Sequence, residues 1–179
     1  LDLTLTTRDR NKPPEERTPM CGVPYHSCEG YIARLIAKGY KVAICEQTED
    51  PALAKGLVDR DIIRVVTPGT VISSSMLEDS KNNYLCAVYA DSARYGLCLC
   101  DLSTGEVYAT AFPAGGEDLD HLKNELARFH PAEALLSAGA WEVDGLRDFL
   151  KERLDCPCEN GGEGRFQPDA ARALAEKQF

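Results

Sequence analysis

The stretch TPMCGVPYHSCEGYIARLIAKGYKVAICEQ, residues 18–47, gathers Cys21, His26, Cys28 and Cys45, four side chains able to bind a soft metal ion. Zinc sites are usually laid out as Cys-x2–4-Cys pairs, and these four are not. The close pairs elsewhere are Cys98-x-Cys100, whose side chains fall on one face of a strand, and Cys156-Pro-Cys158. Cys45 follows the apolar run VAI, where a thiol packs as a small hydrophobe. The spacing predicts no metal centre. Eight cysteines set singly into patterns such as YKVAICEQ, YLCAVYA and GLCLCDL predict reduced, mostly buried thiols rather than a disulfide framework. Cys156 and Cys158, before a Gly-rich stretch, are the expected exposed exceptions.

Carboxylates offer a second chemistry. Asp91, Asp101 and Glu106 fall at or near the ends of predicted strands, and two or three such groups meeting on a sheet could bind Mg2+ for phosphodiester cleavage. Asp91 lies in a turn and Asp101 ends a strand before STG, so nothing in the spacing forces them together, and acids at turns commonly act as caps. No Gly-x4-Gly-Lys-Ser/Thr loop for a nucleoside triphosphate occurs in the chain. No catalytic residue is expected, with a metal-dependent nuclease as the alternative.

The chain has 179 residues and is 44% hydrophobic, enough for one good core or two small ones, and two are expected. No run approaches the roughly 18 apolar residues of a membrane span, and LDLTLT is not an export signal, so a cytoplasmic chain without membrane contact is expected. Residues 1–75 carry ten basic and ten acidic side chains, so the whole formal charge of −9 falls on residues 76–179. An acidic surface repels nucleic acid and suits a protein partner; polyanion contact belongs to the first part.

The alternation in LDLTLTTRD predicts a half-buried strand, followed by a charged, Pro-rich loop over residues 9–19. SCEGYIARLIAKG predicts a helix over about residues 28–38, with Ser27 as N-cap and Gly39 as a left-handed stop. Strands are predicted at YKVAICEQ and, after the breaker-rich TEDPALAKG, at DIIRVVTP. PGTVISSSMLEDSK lacks periodicity and marks a junction over residues 68–81, between units 1–67 and 82–179. The second unit reads as a meander, NYLCAVYA, YGLCLCDLS and EVYATAF, then a helix with Leu119, Leu122, Leu126 and Phe129 on one face, stopped by Pro131. AEALLS follows as a buried strand, VDGLRDFLKERL as a helix, and a last helix starts at Pro168 and reaches Phe179. The fold class expected is α/β (α+β), a small mixed unit followed by a mixed sheet with packed helices.

The motifs GVPYH, VAICEQ, the DP followed by KG, and VTPGT stand in an order and spacing that resembles the later part of the mismatch-binding domain of the bacterial MutS mismatch repair family. The meander and HPAEALLS resemble the start of that family's connector domain, which is ribonuclease H-like. Beyond residue 140 the resemblance is one of topology. It implies a fragment of a longer protein that binds mispaired or unpaired bases in duplex DNA, acts as a homodimer, uses ATP and Mg2+ in a separate ATPase domain, and engages MutL through the connector. The family's wedge, the Phe of a Phe-x-Glu motif, would precede Leu1.

By that resemblance TPMCGVPYH lies near the mismatch. Pro24 stiffens the loop, Gly22 allows close approach of backbone in a minor groove, Met20 and Tyr25 offer apolar and flat surfaces, and His26 can donate to phosphate. The competing reading is a stiff surface turn that packs Tyr25 on its own helix. Arg8 and Arg64 stand where the family has DNA-contacting basic residues, and the guanidinium fork suits phosphate or a groove acceptor. A protein-docking module without DNA contact is the remaining alternative, favoured by the acidic second unit.

Overall fold

The computed structural model describes residues 1–50, 56, 58–78 and 80–178. Pro51–Lys55 of the breaker-rich segment and the terminal Phe179 lie outside them.

The chain opens with a short ladder in which β1 (Thr6–Thr7) pairs antiparallel with β2 (Pro19–Met20). The predicted strand is thus cut to Thr6 and Thr7, because Leu1–Leu5 meet no ladder partner among the described residues. Helix α1 (Cys28–Ile36) ends as the sequence predicts. Gly39 takes φ +77, with its N–H on the Ile36 carbonyl (2.8 Å) and the Tyr40 N–H on Leu35 (3.1 Å), the paired bonds of a Schellman stop. Ser27 does not cap it. Its hydroxyl donates back to the Pro24 carbonyl (3.1 Å), because a 3-10 turn over Tyr25–Ser27 runs straight into the helix.

Strands β3 (Val42–Gln47) and β4 (Arg60–Val66) form an antiparallel pair with a bulge where Ile44 and Cys45 face Arg64 and Ile62. Ile32 and Ile36 of α1 meet Val42, Ile44, Val66 and Val71, with Met76 and Leu77 at the edge. That cluster covers one face only. Ile62, Ile63 and Val65 stay 52–58% exposed on β4, the strand predicted at DIIRVVTP.

The second unit holds a five-stranded sheet in the order β7-β6-β5-β8-β9. Strands β5 (Tyr84–Ala90), β6 (Arg94–Asp101) and β7 (Glu106–Pro113) form the predicted antiparallel meander, while β8 (Glu133–Leu136) and β9 (Cys158–Asn160) run parallel to β5. Helix α2 (Gly116–Phe129) supplies the crossover from β7 to β8 and stops at His130, φ +48, before Pro131. A short helix not predicted from the sequence, α3 (Ala138–Trp141), is capped by the Ser137 side chain. The helix predicted at VDGLRDFLKERL starts only after Gly145, which takes a left-handed conformation, and consists of α4 (Leu146–Asp148) and a π turn over Phe149–Arg153. Leu122, Leu126, Leu146 and Leu150 are fully buried against Cys86, Val88, Leu97, Leu99, Ala134 and Leu136. Each such leucine is worth about 1.5–3 kcal/mol of burial. This is the expected mixed sheet with packed helices. After β9, which has too few residues to show a period, come α5 (Gly162–Arg165) and α6 (Pro168–Gln178), the latter without buried residues.

The thiols differ from expectation. Only Cys86 and Cys156 are buried, and all eight are free. Cys21 and Cys45 are exposed, Cys45 because no described residue covers the outer face of the β3–β4 pair. Cys156 is the opposite case: its N–H donates to the Leu150 carbonyl (2.8 Å), which draws it into the core. Burial pushes its thiol up to about 12, and that of Cys86 well above the usual thiol range. Among the described residues no helix is long and apolar enough to cross a membrane.

Candidate nucleic-acid interface

The β1–β2 ladder brings two of the sequence features together. Thr7 faces Pro19, so Arg8 leaves the ladder beside Thr18, at the base of the segment that runs through Met20, Gly22, Pro24, Tyr25 and His26. The intervening loop is braced. Arg17 donates to the carbonyls of Lys12 (2.8 Å) and Arg10 (3.1 Å), Asp9 pairs with Lys12 (3.3 Å), and the Asp9 carboxylate accepts the Thr18 N–H (3.4 Å). Arg17 and Lys12 are thereby engaged. Arg8 is exposed, and its side chain meets no acid or carbonyl among the described residues.

The turn itself presents Tyr25 at 86% exposure, with His26 also exposed. The reading in which Tyr25 packs on its own helix fails, since the ring lies off α1. Tyr31 fills the comparable role, stacked under the Arg34 guanidinium at 4.5 Å. Met20 is half buried beneath the ladder, and Pro24 is exposed. A Cβ at Gly22 would meet nothing within 4 Å, so the packing of the chain itself does not call for glycine there.

Arg64 is exposed but stands apart. It faces Ile44 across the β3–β4 ladder, on the same side of the strand as Val66. Its link to the turn runs through α1, which follows the turn in sequence and packs on β3. Among the described residues no three His, Cys, Asp or Glu side chains, Cys21, His26, Cys28 and Cys45 included, are placed to share an ion.

The carboxylates of the second unit serve the backbone. Asp101, 1% exposed, accepts the N–H of Asn83 (3.0 Å), Ser103 (2.8 Å) and Thr104 (3.4 Å) and the Ser103 hydroxyl (2.6 Å). Burial opposes its charge, but these bonds outweigh burial and hold the acid below its ordinary value of 3.8. Asp91 closes the β5–β6 turn on the N–H groups of Ala93 (2.7 Å) and Arg94 (2.9 Å). Glu106 accepts from Asn82 (2.7 Å) and the Tyr84 hydroxyl (3.3 Å); burial first, and Glu106 second, push that phenol up to about 12.

Sequence reasoning missed one group. Glu133, 5% exposed at the start of β8, receives the Thr67 hydroxyl, the Gly69 N–H (3.0 Å) and the Lys41 ammonium (3.0 Å), all from the other end of the chain. Its signal was a lone acid in the buried-strand pattern AEALLS.

Comparison with known proteins agrees with this architecture. The family model described as MutS domain I matches residues 1–75, and that described as MutS domain II matches residues 83–179. A DNA mismatch repair protein MutS of Acetivibrio thermocellus is 51% identical over 155 residues, 87% of this chain and 18% of the relative. That of Ruminiclostridium cellulolyticum is 49% identical over 167 residues, 93% of this chain and 19% of the relative. That of Pelotomaculum thermopropionicum is 44% identical over all 179 residues and 20% of its own length. The chain therefore spans about a fifth of the length of these relatives. With both of its units matched in order, it belongs to the MutS family of DNA mismatch repair proteins, of which it carries domains I and II.

Proposed function

We propose that this chain is the part of a longer mismatch repair protein that meets duplex DNA carrying mispaired or unpaired bases. Residues 1–67 act as the later part of the mismatch-binding domain, 68–81 as the junction and 82–179 as the connector. The observation that carries the reading is an Arg8 with no partner among the described residues, beside a proline-stiffened turn whose Tyr25 is 86% exposed. A large ring held off its own helix has an external surface to meet, and a free guanidinium beside it supplies the phosphate contact that positions such a surface. Arg64 adds a second contact further along the domain.

Discrimination between mispaired and paired sites rests on a wedge and on clamping regions of the longer protein. ATP and Mg2+ act there too, since these 179 residues hold no phosphate-binding loop to fit them. The longer protein works in the cytoplasm as a homodimer, and the acidic connector recruits MutL; capture of MutL by the 179-residue chain tests that part. The chain itself catalyses nothing. A nuclease reading needs free carboxylate oxygens, and those of Asp101 are engaged by four donors.

The test of the DNA reading is charge reversal. In anisotropy titrations of a labelled duplex at low salt, the Arg8→Glu, Arg64→Glu double variant binds at least tenfold more weakly than the wild-type chain, whereas Arg172→Glu on α6 matches the wild type. Equal loss in both variants, or none in either, refutes the assignment.

A further inference from the structure

The two units meet along a narrow joint built around one buried carboxylate. At the end of β4 the turn Pro68–Thr70 is closed by Thr67 and Thr70: the Thr67 N–H donates to the Thr70 hydroxyl (2.9 Å), and the Thr70 N–H to the Thr67 carbonyl (3.0 Å). Thr67 has a single hydroxyl proton, which goes to Glu133 of β8, so the Thr70 hydroxyl, 2.8 Å away, is the donor between the two. Glu133 also accepts the Gly69 N–H. The fit permits no side chain, because a Cβ on Gly69 would lie 2.9 Å from the Glu133 Cβ and 3.0 Å from the Leu85 Cβ. The Pro68 carbonyl accepts from the Asn83 amide (2.9 Å). From the start of β3, Lys41 reaches across to Glu133 (3.0 Å) and Glu159 of β9 (2.5 Å).

The joint is local. Beside it the units part around a cavity of about 600 Å³ lined by Ile36, Lys38, Met76, Lys151 and Cys156, so contact there does not set their angle. Val66, next to the joint, is two residues from Arg64, and β4 carries any tilt of the turn directly to that side chain.

We propose that Glu133 is a positioning residue: together with Thr67, Gly69 and Lys41 it forms a latch that fixes domain I on the connector and so sets where Arg64 and the Pro19–His26 segment point. The latch stands independently of the DNA reading, since its parts and its effect lie within the chain. A buried acceptor whose donors among the described residues come from the first unit and the junction does little for its own sheet beyond filling one position, and its hydrogen bonds are satisfied only when the units are seated. Lys41, more exposed, trims the angle by joining two neighbouring strands of the connector.

The test is amide exchange and residual dipolar couplings measured by NMR on the 179-residue chain. In the wild type a single alignment tensor describes both units. In Glu133→Ala the Gly69 amide exchanges at least tenfold faster and the units require separate tensors, while the Val88 and Leu136 amides keep their protection. Glu133→Gln, which retains an acceptor for Thr67 and Gly69, keeps the slow Gly69 exchange and the common tensor. Thr67→Ala cuts the latch from the other side and must separate the tensors without touching the connector, which decides the matter should Glu133→Ala not fold. A common tensor in both Glu133→Ala and Thr67→Ala overturns the proposal. So does equal loss of protection at Gly69, Val88 and Leu136, which would make Glu133 a part of the connector core alone.

Discussion

Replacing Asp101 by Asn separates a turn-locking carboxylate from a metal-binding one. Three donors converge on one oxygen of Asp101 and the Asn83 N–H on the other. An amide supplies one acceptor oxygen and one NH2. If the oxygen faces Ser103, the NH2 confronts the Asn83 N–H; the reverse setting opposes three donors at once. The better setting still leaves a poorly solvated N–H without an acceptor, about 1–3 kcal/mol, and removes the charge that strengthens the remaining bonds. A loss of about 2–3 kcal/mol follows, or roughly 4–12 °C in Tm for a chain of this size. The assay is thermal unfolding at pH 7 in buffer with a chelator. Because the folded acid is held below its ordinary 3.8, its contribution is present above that pH and fades as pH falls through the lowered value, so the two melting curves converge in acid. A metal-binding carboxylate behaves in the opposite way. Without metal it repels its neighbour Glu106, directly across the ladder, and Asn relieves that repulsion. An Asn variant as stable as the wild type, or more so, under chelation refutes the turn-lock argument and revives the nuclease.

Three further outcomes follow from the packing and the ion pairs. A thiol reagent at pH 8 labels Cys21 and Cys45 quickly and leaves Cys86 and Cys156 unlabelled until the chain unfolds, read by mass spectrometry of timed samples. Gly139→Ala puts a Cβ 2.1 Å from the Ala90 carbonyl oxygen, so the helix must shift off β5, and urea titration shows a loss of about 3 kcal/mol. Lys41→Ala takes a donor from Glu133, whose side chain is 7% exposed, at about 1–3 kcal/mol, and the Lys41–Glu159 pair, 39% and 42% exposed, adds less than about 1 kcal/mol at pH 7. The hydrogen bond from Lys41 holds Glu159 below 4.5, so that part of the difference is full above this pH and closes as pH falls through the lowered value. Burial disfavours the Lys41 charge, but Glu159 and Glu133 hold it above 10.5, so the difference also closes in strong alkali.

The readable parts of the fold are those with a period and a stop. The face Leu119, Leu122, Leu126 and Phe129, ended before Pro131, and the stop at Gly39 carry their own geometry. Periodicity says which residues share a face, not whether anything covers it. That is why β4 forms where it is predicted yet leaves Ile62, Ile63 and Val65 in solvent, and why Cys45 is exposed. Strand β9 is three residues long and draws its pairing from β8 alone. At the candidate interface, exposure of Tyr25, His26, Arg8 and Arg64 follows from polarity and turn chemistry. The placement of Arg8 beside Thr18 depends on a two-residue ladder that no pattern announces. Glu133 and Thr67 are 66 positions apart, and only the closure of the two units on one another shows why an acid belongs in a buried strand.

On the proposed function, the Pro19–His26 segment, with Arg8 and Arg64, faces duplex DNA while recognition of the mispair lies with other parts of the longer protein. The most direct test is an NMR titration of the isotope-labelled chain with matched and singly mispaired duplexes at low salt, where phosphate contacts are strongest. The account predicts weak binding, with shifts confined to Arg8, Gly22, Tyr25, His26, Arg64 and their neighbours, fading as salt is added and alike for the two duplexes. Shifts clustered on the connector sheet, or a preference for the mispaired duplex of tenfold or more, about 1.4 kcal/mol, would contradict it.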